Sequence, residues 1–177
     1  MPNNSFIPLS IVVLTISDTR TEDNDTSGKY LCEALTSSGH HLVEKTIVSD
    51  EKHLIIQTIQ PWIADESIDV VLCTGGTGLT HRDVTPEAFE LLVEKWIPGF
   101  GELFRYLSFK KIGVSTIQSR ACAGTAHGTL LFALPGSTGA CKDAWEGILK
   151  AQLDIRSKPC NFAEILPRMK HLGRARK

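Results

Sequence analysis

Residues 70–88 read Val70-Val71-Leu72-Cys73-Thr74-Gly75-Gly76-Thr77-Gly78-Leu79-Thr80-His81-Arg82-Asp83-Val84-Thr85-Pro86-Glu87-Ala88. An apolar, β-branched run stops abruptly in three glycines and two threonines. A helix start follows, with Thr85 as N-cap, Pro86 in the first helical position and Glu87 in the first turn. Strand, tight glycine turn and helix N-terminus together present backbone N–H groups to an anion. Thr74, Gly75, Gly76, Thr77 and Gly78 are therefore expected to hold a phosphate. Glycine admits close backbone approach, and threonine hydroxyls add short hydrogen bonds. Asp83 beside a phosphate makes chemical sense if a divalent cation lies between them. An ordinary βα turn with surplus glycine is the plainer alternative.

Spacing excludes two better-known phosphate loops. A Walker loop needs glycine, four residues, then Gly-Lys-Ser/Thr; here Gly28-Lys29 is followed by Tyr30, and Asp23 stands at the first glycine position. A dinucleotide fingerprint beginning at Gly76 would need its third glycine where His81 stands.

Outward from this loop, strand and helix alternate. Residues 11–16 form a continuous apolar run, as in a strand covered on both faces. Residues 17–25 are a polar, acidic loop. Residues 27–38 read as a helix with Tyr30, Leu31, Ala34 and Leu35 on one face and Gly39 as C-cap. A second, less buried strand is expected at 42–48. A second helix is expected at 50–62, carrying Ile55, Ile59, Trp62 and Ile63, with Pro61 kinking or shortening its end. Residues 68–73 form the third strand. Helical segments at 86–95 and 99–109, split by Pro98-Gly99, precede a short helix near 115–122 and a strand at 129–134. Pro135-Gly136 then makes a second strand-to-helix turn, and Ser137 caps a long last helix. The pattern predicts an α/β fold: one doubly wound, three-layer domain with a mostly parallel central sheet. Residues 1–10 are an N-terminal extension, 11–162 the domain, and 163–177 a basic, flexible tail with Arg168, Lys170, Arg174, Arg176 and Lys177.

The 177 residues suffice for a sizeable core, and 42% hydrophobic with 22% charged residues is ordinary for a soluble globular protein. A net charge of −1 gives no pull toward nucleic acid or an anionic membrane. Five cysteines, with no Cys-x-x-Cys pair, argue against a zinc site or a disulfide framework and for a reducing cytosol. Cys32, Cys73 and Cys141 sit among apolar neighbours as small core residues. No leader sequence and no membrane-spanning apolar run is recognised. His81 and Asp83 lack a third metal ligand nearby, His40-His41 reads as an exposed turn, and Trp62, Trp96 and Trp145 read as core packing.

In open parallel sheets the ligand lies beyond the carboxyl ends of the strands. Asp18 and Asp25-Thr26-Ser27 follow the first strand, Ser49-Asp50 the second, Thr74 to Asp83 the third, and Pro135-Gly136-Ser137 the late one. Two glycine turns with carboxylates between them suit a phosphorylated ligand and a metal-bound nucleotide.

Thr74-Gly75-Gly76-Thr77-Gly78 with Arg82-Asp83-Val84-Thr85-Pro86-Glu87-Ala88 resembles the signature of the molybdopterin-binding (MoaB/Mog) family of molybdenum cofactor biosynthesis. Asp25-Thr26-Ser27-Gly28, Pro98-Gly99-Phe100-Gly101-Glu102, Ser119-Arg120 and Leu134-Pro135-Gly136-Ser137 follow in the family's order, from about residue 11 to about residue 162. Phe6-Ile7-Pro8 and Lys158-Pro159-Cys160-Asn161-Phe162 resemble the B-type branch. The resemblance implies a concrete reaction, adenylylation of molybdopterin, in which its terminal phosphate attacks the α-phosphate of MgATP and releases pyrophosphate. It implies Asp50 and Asp83 as magnesium-positioning residues, Ser108 as a further catalytic position, and Pro135, Gly136 and Ser137 on the pterin side, with Asp25 and Ser27 also binding ligand. Asp50 as a helix N-cap and Asp83 as a helix-dipole partner are the structural alternatives. The resemblance also implies a homo-oligomer, a trimer or a dimer of trimers, and contact with other molybdenum cofactor biosynthesis proteins. Two competing functions remain: a protein that binds molybdopterin or its precursor without turnover, and a scaffold for the pathway.

Overall fold

A computed structural model describes residues 5–172, with side chains through residue 170. Its elements are β1 (Ser10–Ile16), α1 (Thr26–Ser37), β2 (His41–Val48), α2 (Lys52–Ala64), β3 (Val70–Thr74), α3 (Thr85–Phe89), β4 (Lys95–Trp96) and α4 (Pro98–Ile112). A 3-10 stretch at Gly113–Gln118 leads to β5 (Cys122–Ala126) and β6 (Thr129–Leu134). α5 (Thr138–Ala144), a π turn (Trp145–Leu149) and α6 (Lys150–Gln152) follow, and α7 (Phe162–Leu172) closes the described chain.

The sheet order is β2-β1-β3-β6-β5-β4. β1 lies parallel to both β2 and β3, and β3 parallel to β6, whereas β6, β5 and β4 run antiparallel. Alternation along the central strands explains the three layers. Ile11 and Val13, Val70 and Leu72, and Leu130 and Phe132 face a core closed by Leu31 and Leu35 of α1, Phe100 and Phe104 of α4, and Trp145. Val12 and Leu14, Val71 and Cys73, and Leu131 and Ala133 face a second core closed by Ile55, Ile59 and Trp62 of α2 and Phe89 of α3. The doubly wound expectation is met.

Several elements differ from the sequence expectation. β5 was hidden because Cys122-Ala-Gly-Thr-Ala is made of small residues with no apolar run, and the stretch near 115–122 is a 3-10 turn followed by this strand. Pro61 does not stop α2, which continues to Ala64. The chain from Phe162 to Leu172 is a helix rather than a loose end: Ala163 and Leu166 are buried in the first core, and Lys170 Nζ reaches Asp69 Oδ1 at 2.6 Å and the Glu66 carbonyl at 2.8 Å. Arg174, Arg176 and Lys177 lie outside the described residues. His40 is buried, its Nδ1 accepting the Leu9 N–H at 3.2 Å, because the turn folds under the strand edge. Trp62 and Trp145 are buried, but Trp96 lies half-exposed on the edge strand β4. All five cysteines are free. Among the described residues, no helix is long and apolar enough to cross a membrane.

Candidate functional site

The parallel strands deliver their following loops to one rim. Ser17 N donates to Val48 O at 2.8 Å and Gly75 N to Leu134 O at 2.9 Å, so these loops leave the sheet side by side. Gly75 and Gly76 have φ of 110° and 63°, the left-handed region that favours glycine. Their bareness serves packing as well: a Cβ on Gly75 would stand 2.1 Å from the Ile16 carbonyl oxygen, and one on Gly76 2.4 Å from Thr85 Oγ1. Thr85 donates its hydroxyl to Gly75 O at 2.8 Å and its N–H to Gly76 O at 3.0 Å. It therefore straps the loop from inside. Val84 takes the N-cap position of α3, contrary to the expectation for Thr85, because the hydroxyl is drawn away to the loop carbonyl.

The two glycine turns touch. A Cβ on Gly136 would lie 3.3 Å from Gly75 Cα, and Thr74 Oγ1 donates to Pro135 O at 3.0 Å. Thr74 and Thr77 are buried, and Ser137 caps α5 as expected, its Oγ accepting from Ala140 N at 3.2 Å.

Carboxylates gather above these turns. Asp18 N donates to Asp50 Oδ2 at 2.8 Å, and Asp50 N donates back to Asp18 Oδ1 at 3.1 Å. Arg82 grips Asp18 with two nitrogens, Nε to Oδ2 at 2.9 Å and Nη2 to Oδ1 at 2.8 Å, and reaches Glu51 Oε1 with Nη1 at 2.7 Å. Asp50 is not the N-cap of α2; Glu51 holds that place, and Asp50 is turned toward the loop after β1. Its Oδ1 lies 3.3 Å from the position of a Cβ on Gly76 and has no hydrogen-bond partner among the described residues. Burial and the nearby charges of Asp18 and Asp83 push the Asp50 carboxyl above its ordinary range, against the pull of the Asp18 N–H and Arg82.

Asp83 Oδ2 accepts from Thr80 N at 2.8 Å and Thr80 Oγ1 at 2.7 Å, closing a small turn on itself. Burial opposes its ionisation, but the Thr80 donors, the Gly78 amide and Arg120 hold its carboxyl below the ordinary range. Asp50 and Asp83 thus reach the glycine turn from different loops, the first with its carboxyl pushed above the ordinary range and the second with its carboxyl held below it.

Other expected residues fall elsewhere. Asp25 is fully buried, accepting from Thr15 Oγ1 at 2.8 Å and Gly28 N at 2.9 Å and pairing with Lys45 at 3.0 Å; Ser27 is buried beside it. Both anchor the start of α1. Ser108 is buried on α4, and no hydrogen bond joins its side chain to the rim. Composition and motif gave no role to Arg82, Glu51 or Arg120. Arg82 could have been suspected as the neighbour of Asp83, but Arg120 reaches Gly78 O across 42 residues and carries no local signal. A cavity of about 510 Å³, lined by Phe6, Tyr30, His40 and Trp145, lies at the other end of the sheet, since His40 precedes the start of β2 and Asp50 follows its end.

Magnesium is characteristically held by one or two carboxylates together with substrate phosphates. Among the described residues no three His, Cys, Asp or Glu side chains gather as a metal site, so Asp50 and Asp83 could hold such a cation only together with substrate phosphates.

Residues 12–154 match the family described as "Probable molybdopterin binding domain". The chain belongs to this family. It is 52% identical over 160 residues to molybdenum cofactor biosynthesis protein B of Escherichia coli K12, covering 90% of this chain and 94% of that one. A crystal structure of a molybdenum cofactor biosynthesis protein B superposes with a TM-score of 0.84 at 40% identity, covering 93% of this chain and 98% of the other. The tungsten cofactor synthesizing protein MoaB from Pyrococcus furiosus superposes with a TM-score of 0.76 at 33% identity, over 92% of this chain and 98% of that one. The chain is therefore a molybdenum cofactor biosynthesis protein, and its molybdopterin-binding domain includes all four loops of the rim.

Proposed function

We propose that this family member transfers the adenylyl group of MgATP to the terminal phosphate of molybdopterin. The observation that carries this reading is the meeting of Asp50 and Asp83 on one glycine turn; a carrier that only holds molybdopterin has no use for such a pair. A phosphate oxygen of molybdopterin bonds to the α-phosphorus, the bridging α–β P–O bond breaks, and pyrophosphate leaves. Magnesium, when bound, neutralises charge on the phosphates. The chain's own residues then position the reactants. Asp50 and Asp83 hold the cation, the amides of Gly76 and Thr77 within the 74–78 loop hold a phosphate, and Pro135, Gly136 and Ser137 line the pterin side. Asp25 and Ser27 support the rim from the start of α1, and Ser108 is retained as a candidate whose role a Ser108→Ala variant decides.

The same reading places the protein in the cytosol, as a trimer or a dimer of trimers that meets other proteins of the pathway. Exposed apolar side chains support assembly: Leu103, Tyr106, Phe109 and Ile112 wind round α4 at i, i+3 spacing, and Val114 and Ile117 follow in the 3-10 turn.

Incubation with molybdopterin, MgATP and inorganic pyrophosphatase tests the reaction directly. Adenylylated molybdopterin is expected, and excess EDTA abolishes it. Asp83→Asn keeps an oxygen for the Thr80 N–H and removes one charge. It slows turnover about a hundredfold, roughly 3 kcal/mol of transition-state stabilisation, while molybdopterin still binds. Unchanged turnover in Asp83→Asn or in EDTA overturns the magnesium role. Binding without ATP consumption makes the protein a carrier instead.

A further inference from the structure

Arg120 lies in the stretch between the 3-10 turn and β5, remote in sequence from the rim loops, yet it grips the glycine loop at three residues. Its Nε donates to Gly78 O and its Nη2 to Asp83 O, both at 2.7 Å, and its backbone N–H donates to Thr77 O at 3.0 Å. The third guanidinium nitrogen, Nη1, pairs with Glu87 Oε1 on α3. Arg120 is itself braced from α4: Arg105 Nη1 donates to the carbonyls on either side of it, Ser119 O at 3.4 Å and Ala121 O at 3.2 Å.

Residues 78–83 form a turn that is closed internally by Thr80 and Asp83. Asp83 N donates to Thr80 O at 3.0 Å, and both Thr80 donors return to Asp83 Oδ2. Internal closure shapes the turn but does not say where it sits. Arg120 supplies that by bolting the first and last residues of the turn to the segment that leads into β5. It does so through carbonyl oxygens, leaving the Asp83 carboxylate outside any direct ion pair. The planar guanidinium reaches two carbonyls and a carboxylate with separate nitrogens in fixed directions, which a compact ammonium does not match. Among the described residues Glu87 Oε2 is buried without a hydrogen-bond partner, which is costly for a carboxylate oxygen. Its placement is explained by the grip that Oε1 keeps on Arg120.

We propose that Arg120 is a positioning residue that holds the 78–83 turn in place, so that Asp83 keeps its position at the glycine turn, with Glu87 orienting the guanidinium. The role assigned to Asp83 rests on the adenylylation reading; the role assigned to Arg120 in ordering the turn does not.

Arg120→Lys keeps the charge and loses the fork. The Asp83 amide is expected to exchange its hydrogen at least tenfold faster than in the wild type. The magnesium concentration for half-maximal turnover rises about tenfold, while molybdopterin affinity stays within twofold. In the Asp83→Asn background the same change alters the rate less than twofold, because the group it positions is gone. Glu87→Gln leaves the carbonyl contacts and weakens the orientation, giving a smaller change of the same sign; it serves if the Lys variant does not fold. Amide exchange within twofold of wild type in both variants overturns the proposal. So does an equal rate loss from Arg120→Lys with and without Asp83→Asn. If the wild type shows no magnesium-dependent turnover, the adenylylation reading fails alone, and the amide exchange still decides the role of Arg120.

Discussion

Asp25 looks in the sequence like one more ligand residue at a strand end, and burial gives it a different task. Its side chain is 0% exposed. Burial opposes its ionisation, but the Gly28 N–H, Lys45 and Thr15 together hold its carboxyl below the ordinary range. A carboxyl with a lowered folded pKa contributes stability that is present above the unfolded value of about 3.9 and is lost as pH falls through the folded value. Asp25→Asn should therefore lower the stability at pH 7 by about 2 kcal/mol, for a charged hydrogen bond lost and the Lys45 amine left behind, and the melting temperature with it. The gap from wild type closes below about pH 3.9. Thermal melts across pH check this, and a gap that stays constant with pH would show that the charge is not what stabilises the start of α1. Asp50 illustrates the opposite sign, its carboxyl pushed up by burial first and then by the charges of Asp18 and Asp83. Neither environment is visible from residue type, because each is set by side chains from other loops.

Elements differ in how much they announce. β1 and β3 are legible as apolar runs because both faces are covered, and the start of α5 is legible because Ser137 and Gly136 carry the turn and the cap. β5 and α7 are not. β5 is held by pairing with β6 rather than by its own apolar side chains, and α7 has only a narrow apolar stripe among basic residues. α7 nonetheless closes part of the first core. Leu166 is 3% exposed there, so Leu166→Ala should cost about 2–5 kcal/mol and lower the melting temperature by at least about 4 °C. A solvated end would show no change in the same melt.

At the scale of the whole molecule, two faces of the sheet are covered by helices, and apolar side chains of α4 and the 3-10 turn are left bare. Val114 and Ile117 are 79% and 82% exposed in the 3-10 turn after α4. A surface of this kind fits a second copy of the chain better than water. Light scattering should give a particle several times the 19.4 kDa chain, and Ile117→Lys should shift it toward the single chain. A monomer at micromolar concentration in the wild type would remove the assembly from the reading.

The alternation of strand and helix, the carboxyl-end placement of the glycine turns and the family signature were all determined by the sequence, because each depends on residues close together in the chain. Local propensity and periodicity act over a few residues and survive in one dimension. Only the tertiary structure decided that Asp50 and Asp83 both reach the glycine turn and that Asp25 and Ser27 lie inside. It also decided that Thr85 straps the loop rather than capping the helix, and that Arg82 and Arg120 tie the rim together. Those outcomes come from contacts between segments far apart in sequence, such as Arg82 with Asp18 across 64 residues. The direction of a side chain at such a crossing is set by which loops the sheet order brings together, and that order is written in no single stretch of the chain.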